Sequence, residues 1–313
     1  CIHTYLSELK ILSNCNICPR GCNADRFSSK LGYCRSNASF SISSSCNHMG
    51  EEPAISGNKG ICNIFFTNCN LQCVFCQNYQ ISQNNRDYSG CEMELEDVIR
   101  AILDILDHGM NIVGFVSAGH VVPQVKAIIK ALRGMGRDPV FVYNSNGYDK
   151  VETLRSLEGM IDVYLPDFKY SDPKLARQYS DAADYPEVAL AAIQEMYRQT
   201  GSTMLLDDDG YAQRGLIIRH LVMPQQPENS IGVMKSIAGE VSPNLHISMM
   251  SQYHPNPYVQ DHDELKNTVS PQDYYRVVEA MSDLGFTKGY VQEMASAWHY
   301  NPDFRKQHPF ESM

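Results

Sequence analysis

All eleven cysteines of this 313-residue chain fall within its first 91 residues, at positions 1, 15, 18, 22, 34, 46, 62, 69, 73, 76 and 91. A disulfide framework spreads its cysteines through a small, loop-rich domain. Here they crowd one end of a long chain that is 43 % hydrophobic and 20 % charged, a composition able to build a large core. The crowding points instead to metal–thiolate chemistry and a reducing compartment such as the cytoplasm. Cys1 opens the chain; it reads either as a lipidated N-terminal residue or, more plainly, as the first residue of a truncated chain. Cys1, Cys46, Cys62 and Cys91 match no ligand spacing and are taken as non-ligands.

Composition narrows the partners. The net charge is −10 and the isoelectric point about 5.4, which excludes a broad basic surface for nucleic acid. No apolar run reaches the roughly 18 residues that span a bilayer.

Two cysteine groups have ligand spacing. The first is Cys15, Cys18, Cys22 and Cys34, four thiolates suited to a structural zinc ion or a fully ligated second cluster, with metal-free thiols as the alternative. The second lies in FTNCNLQCVFCQN (66–78), where Cys69, Cys73 and Cys76 are spaced C-x3-C-x2-C. Three soft thiolates suit an iron–sulfur cubane with one iron left open, as a catalytic zinc site keeps one position free. A zinc knuckle is the plainer reading of the same three residues.

The order of elements says where that loop sits. Residues 1–58 are polar and Ser/Asn-rich and read as an irregular extension; residues 59–313 carry the periodic pattern and end in a helix and tail. Strands are expected at 61–67, 111–117, 139–143, 161–165, 215–222 and 245–250, each followed by a helical region. Glu94–His108 carries Leu95, Val98, Ile99, Ile102 and Leu106 on one helical face, and Ser270-Pro271 caps a late helix closed by Gly285. This alternation predicts an α/β fold with a parallel sheet: an open, partial (β/α)6 barrel, or a doubly wound sheet as the alternative. Either places ligands at the C-terminal ends of the strands, where the loop 67–78 begins. Asp207-Asp208-Asp209-Gly210 reads as a tight turn rather than a calcium loop.

Cys-x3-Cys-x2-Cys with Phe75 before its last cysteine resembles the signature of radical S-adenosylmethionine (SAM) enzymes. The resemblance implies that Cys69, Cys73 and Cys76 hold a 4Fe–4S cluster and that Phe75 packs on the adenine of SAM. YLPDFKY (164–170), NSNGY (144–148) and RHLVMP (219–224) resemble strand-end segments of activating enzymes for glycyl-radical enzymes. They imply SAM contacts from Asp167, Lys169 and Arg219. Where the family often has Gly-Gly-Glu, this chain has Ser117-Ala118-Gly119-His120; the implied contact is the backbone of Ser117 and Gly119, with His120 a substrate contact, an acid/base or a satisfied loop histidine. CPRGCNADR and LGYCRS (18–36), EEPAISGNKG (51–60), SQYHP (251–255) and GYVQE (289–293) resemble a subgroup called pyruvate formate-lyase activating enzyme-like. That implies reductive SAM cleavage, an electron donor such as flavodoxin or ferredoxin, and a glycine of a partner glycyl-radical enzyme as substrate. The alternatives are another peptide or small-molecule substrate, and a non-catalytic iron–sulfur or zinc protein.

Overall fold

The computed structural model describes residues 2–298, 301–306 and 308–310; Cys1 lies outside them. A 3-10 helix, Ile2–Asn14, opens the chain. The elements then run β1 (Phe40–His48), α1 (Pro53–Ser56), β2 (Ile61–Phe66), α2 (Tyr79–Ser82), β3 (Glu92–Met93), α3 (Leu95–Leu106), β4 (Ile112–Val116), α4 (Val122–Gly134), β5 (Val140–Ser145) and α5 (Val151–Arg155). They continue as β6 (Val163–Pro166), α6 (Pro173–Ser180), α7 (Tyr185–Thr200), β7 (Leu205–Leu206), β8 (Ala212–Leu221), α8 (Pro227–Glu240), β9 (His246–Met250), α9 (Pro271–Asp283) and β10 (Lys288–Val291).

The six expected strands are β2, β4, β5, β6, β8 and β9, and they pair in parallel. The sheet order is β10-β9-β8-β6-β5-β4-β2-β1-β3, with two free ends, so the sheet is open as the partial barrel requires. Every residue of β2, β4, β5 and β6 is buried, as expected for parallel strands covered on both faces. Two features were not foreseen. Residues 40–48, inside the supposedly irregular extension, form β1 and pair antiparallel with β2; its run of serines hid the buried alternation Phe40, Ile42, Cys46 and His48. GYVQE forms the parallel edge strand β10, whose residues are mostly exposed and so leave little hydrophobic signature. Asp207–Gly210 is the turn of the β7–β8 hairpin, with Gly210 at φ +86°.

Side-chain alternation along the strands separates two environments. Cys62, Val113, Phe115, Phe141, Tyr143, Tyr164, Leu216 and Ile218 pack into the large core with the helices. The alternating residues Ile61, Ile112, Val140, Val142, Val163, Leu165 and Ile217 form a second apolar cluster, closed by Ala54 and Ile55 of α1. Two residues further along this second face the chain turns polar: Asn63, Asn144, Asp167 and Arg219 continue the same alternation. Gly114 lies on that row, and a Cβ there would sit 2.1 Å from Oδ1 of Asn63.

Gly114→Ala is therefore expected to push Asn63 aside and cost about 1–3 kcal/mol, the usual penalty for overpacking. Equilibrium denaturation checks this; a loss within error of zero would show that the row has slack.

Candidate functional site

The polar row opens into a cavity of about 600 Å³ at the C-terminal strand ends, within the range of small-molecule sites. Its floor is a buried charge network. Asp167 and Arg219 sit opposite one another on adjacent strand ends, bridged in parallel register. Arg219 Nε donates to Asp167 Oδ1 at 3.0 Å, Nη1 to Glu51 Oε2 at 3.1 Å and Nη2 to Asn144 Oδ1 at 2.6 Å. Lys169 Nζ donates to the other oxygen of Asp167. Glu51 also accepts from Asn63 Nδ2 at 2.8 Å. Such buried ions persist only when paired and hydrogen-bonded.

The charges set one another's protonation. Burial alone would raise the pKa of Asp167, but Lys169 and Arg219 outweigh it and hold the carboxyl below its ordinary value. Burial works against the charge on Lys169 too, and Asp167 and Cys73 outweigh it, raising the ammonium's pKa. Glu52 differs. Burial dominates and pushes its carboxyl up despite Arg219, with Glu51 adding to the rise. Its Oε2 is buried without a hydrogen-bond partner, and the residue lines the cavity.

The loop 67–78 forms the adjoining wall. Cys73, Phe75 and Cys76 line the cavity, and Cys69 lies buried behind them. Each sulfur is met by a donor. Leu71 N–H and Asn146 Nδ2 lie 3.4 and 3.3 Å from Cys69 Sγ, Ser180 Oγ 3.0 Å from Cys73 Sγ, and Ser82 Oγ 3.4 Å from Cys76 Sγ. Among the described residues no three Cys, His, Asp or Glu side chains are gathered for a single metal ion. Donors aimed at all three sulfurs suit thiolates that hold a metal centre. Burial raises the pKa of all three thiols, Cys69 to about 12 and Cys73 to about 11, and metal binding works against that rise by favouring the thiolate.

The other expected residues divide. Ser117 lines the cavity at the end of β4, in a left-handed conformation with φ +52°. Gly119 does not line it; a Cβ at Gly119 would meet Asp149 Oδ1 at 2.5 Å. His120 also faces away. It is buried, its Nε2 lies 2.9 Å from the Thr67 carbonyl while its Nδ1 has no hydrogen-bond partner, and burial lowers its pKa to about 4. The polar turn NSNGY is braced by Tyr185, whose hydroxyl lies 2.9 Å from the carbonyls of Asn146 and Asp167 and accepts from Lys169 N–H. Gly147, at φ +83°, lets that turn pass the Asp167 carbonyl.

Glu51, Glu52, Gln252 and Gln292 were not given roles by the sequence reading, although their motifs were noted. They line the cavity; Gln292 Nε2 donates to Gln252 Oε1 at 2.8 Å. Their signal was there: a Glu-Glu pair before a proline, and glutamines leaving two strands.

Residues 63–207 match the sequence model of the radical SAM superfamily. An uncharacterized protein of Methanocaldococcus jannaschii is 28 % identical over 273 residues, 86 % of this chain and 74 % of that one. Among solved structures, Streptococcus suis SuiB bound to its precursor peptide SuiA matches with a TM-score of 0.50 and 14 % identity, over 74 % of this chain and 48 % of SuiB. HydG, a maturase of the [FeFe]-hydrogenase, matches with a TM-score of 0.50 and 12 % identity, over 72 % of this chain and 48 % of HydG. At these identities the two structures establish the fold alone, and the chain spans about half the length of each.

Asp167 has a depressed pKa, so its ion pairs stabilise the fold above its ordinary pKa near 4, and that stabilisation is lost as pH falls through the lower folded-state value. The wild-type melting temperature should therefore fall more between pH 5 and pH 3 than that of Asp167→Asn. Parallel falls would contradict the network.

Proposed function

We propose, from the match of residues 63–207 to the radical SAM superfamily, that this chain is an enzyme that cleaves SAM at a 4Fe–4S cluster held by Cys69, Cys73 and Cys76. The observation that carries the reading is one cavity: Cys73, Cys76 and Phe75 share it with Ser117, Asp167, Lys169 and Arg219. When bound, the cluster and SAM supply reductive cleavage to methionine and a 5′-deoxyadenosyl radical, which removes a hydrogen atom from substrate.

The chain's own residues bind and orient. The donors from Leu71, Asn146, Ser180 and Ser82 stabilise thiolate charge on the three sulfurs. Phe75 offers an apolar face for adenine; its own ring centroid lies 6.3 Å from those of Tyr170 and Tyr253. Lys169 has three donors and gives one to Asp167, which leaves capacity for a carboxylate. Arg219 has spent three of its five N–H groups on Asp167, Glu51 and Asn144, so it is first the brace of the site and only secondarily a ligand contact. At the β4 turn the contact falls to Ser117, since Gly119 is turned to Asp149.

Glu51, Glu52, Gln252 and Gln292 form a polar wall on the same cavity. We assign the substrate to this wall. Burial pushes the Glu52 carboxyl toward its neutral form, which can donate or accept a hydrogen bond. The subgroup motifs that supply these residues favour a glycine in a partner glycyl-radical enzyme, with a flavodoxin or ferredoxin as reductant in a cytoplasmic setting. The second reading is another peptide or small molecule. It is favoured by the Ser117–His120 turn, where the family's acidic residue is replaced by a buried histidine that faces away.

Anaerobic reconstitution followed by dithionite and SAM should yield 5′-deoxyadenosine, and Cys73→Ala should lower the yield at least 100-fold. A fully reconstituted wild type that gives none would favour an electron carrier. Lys169→Met should weaken SAM binding at least tenfold by calorimetry at unchanged iron content; unchanged affinity would remove Lys169 from the site.

A further inference from the structure

A second cavity, small and enclosed, lies outside the site described above. Its lining includes Cys15, Cys18, Cys22, Cys34 and Arg26. The four cysteines come from 20 residues of irregular chain, and local backbone bonds shape that chain around the cavity. Cys15 N–H donates to the Ala24 carbonyl at 2.8 Å, and Asn23 N–H donates to the Cys15 carbonyl at 2.9 Å. Gly21 and Asn23 both adopt φ +52° to make the turn. Tyr33 N–H donates to Cys22 Sγ at 3.2 Å. Gly32 packs so closely on Cys22 that a Cβ there would fall 2.9 Å from the sulfur. All four cysteines are free thiols, with no disulfide among them.

The independent observation is Arg26. It is 2 % exposed. Its Nε and Nη2 donate to the Asn37 carbonyl at 3.1 and 2.8 Å, and its Nη1 donates to the His120 carbonyl at 2.6 Å and lies 3.9 Å from Cys15 Sγ. The groups that meet this guanidinium are two carbonyls and a sulfur. A buried cation is stabilised by a neighbouring negative charge. Four thiolates on a divalent metal, or on an iron–sulfur cluster, carry net negative charge and would supply it.

We propose that Cys15, Cys18, Cys22 and Cys34 hold a second metal–thiolate centre, and that Arg26 is its buried counter-ion. The shared chemistry is tetrathiolate ligation, and it has two sources: a zinc ion or an iron–sulfur cluster. The cavity they line is only about 10 Å³, so a cluster would require them to move outward on binding. The centre braces the neighbouring loop 67–70. Arg20, on the same cavity, donates from Nε to the Asn70 carbonyl at 2.9 Å, and His120 reaches the Thr67 carbonyl. The inference stands whether or not the larger cavity binds SAM.

The test uses the full chain with Cys69, Cys73 and Cys76 all changed to Ala, purified anaerobically and supplied with zinc or with iron and sulfide. Elemental analysis should find retained metal: zinc alone identifies the zinc arm, and iron with acid-labile sulfide the cluster arm. Adding Cys18→Ser and Cys34→Ser should lower that metal at least tenfold. Metal content equal to that of the added double variant would overturn the proposal. A measurement on the wild-type chain guards against misfolded variants. Cys22 is exposed, so as a free thiol it would alkylate with iodoacetamide at once; as a ligand it should be protected at least tenfold until the metal is stripped. Immediate alkylation of the metal-supplied chain would also overturn the proposal. Arg26→Lys should retain the metal and Arg26→Met should lose most of it; equal retention would remove Arg26 as counter-ion.

Discussion

The site depends on one buried guanidinium. Arg219 holds Asp167, Glu51 and Asn144, and so joins the ends of β5, β6 and β8 to the loop before α1. Removing one partner of such a network typically costs about 3–5 kcal/mol, because the others are left charged and buried. The network sits directly above the apolar cluster closed by Ala54 and Ile55. The same strand face is therefore apolar where α1 covers it and ionic where it opens into the cavity. That switch within two residues turns a packing surface into a binding surface.

The three-cysteine loop is positioned from several directions at once. Asn146 reaches Cys69 from the turn after β5, and Ser180 reaches Cys73 from the end of α6. Tyr185 ties the β5 turn to the strand end that bears Asp167. The β5 turn, the end of α6 and α2 thus reach the three sulfurs, and α7 braces the β5 turn. Preorganised donors and fixed ligands are what a cluster site requires of its protein.

Much of this was legible in the sequence, for specific reasons. The parallel core strands are fully buried, so each reads as a continuous apolar run, and the order of units follows from their alternation with helices. Cys69, Cys73, Cys76 and Phe75 announce themselves by spacing. Arg219 was legible as a charge in an apolar strand, but its partner Glu51 was not, because that contact spans 168 residues. β1 and β10 were missed because serine-rich and solvent-facing strands carry weak alternation. The place of His120 was not legible: only the structure shows it buried against the Thr67 carbonyl and away from the larger cavity.

The central claim is that the three-cysteine loop leaves one iron of its cluster for SAM. Mössbauer spectroscopy of the reconstituted, iron-57-enriched chain, recorded before and after SAM is added, addresses it most directly. A single iron site should change its isomer shift while the others keep theirs. Spectra that superimpose at saturating SAM would contradict the account.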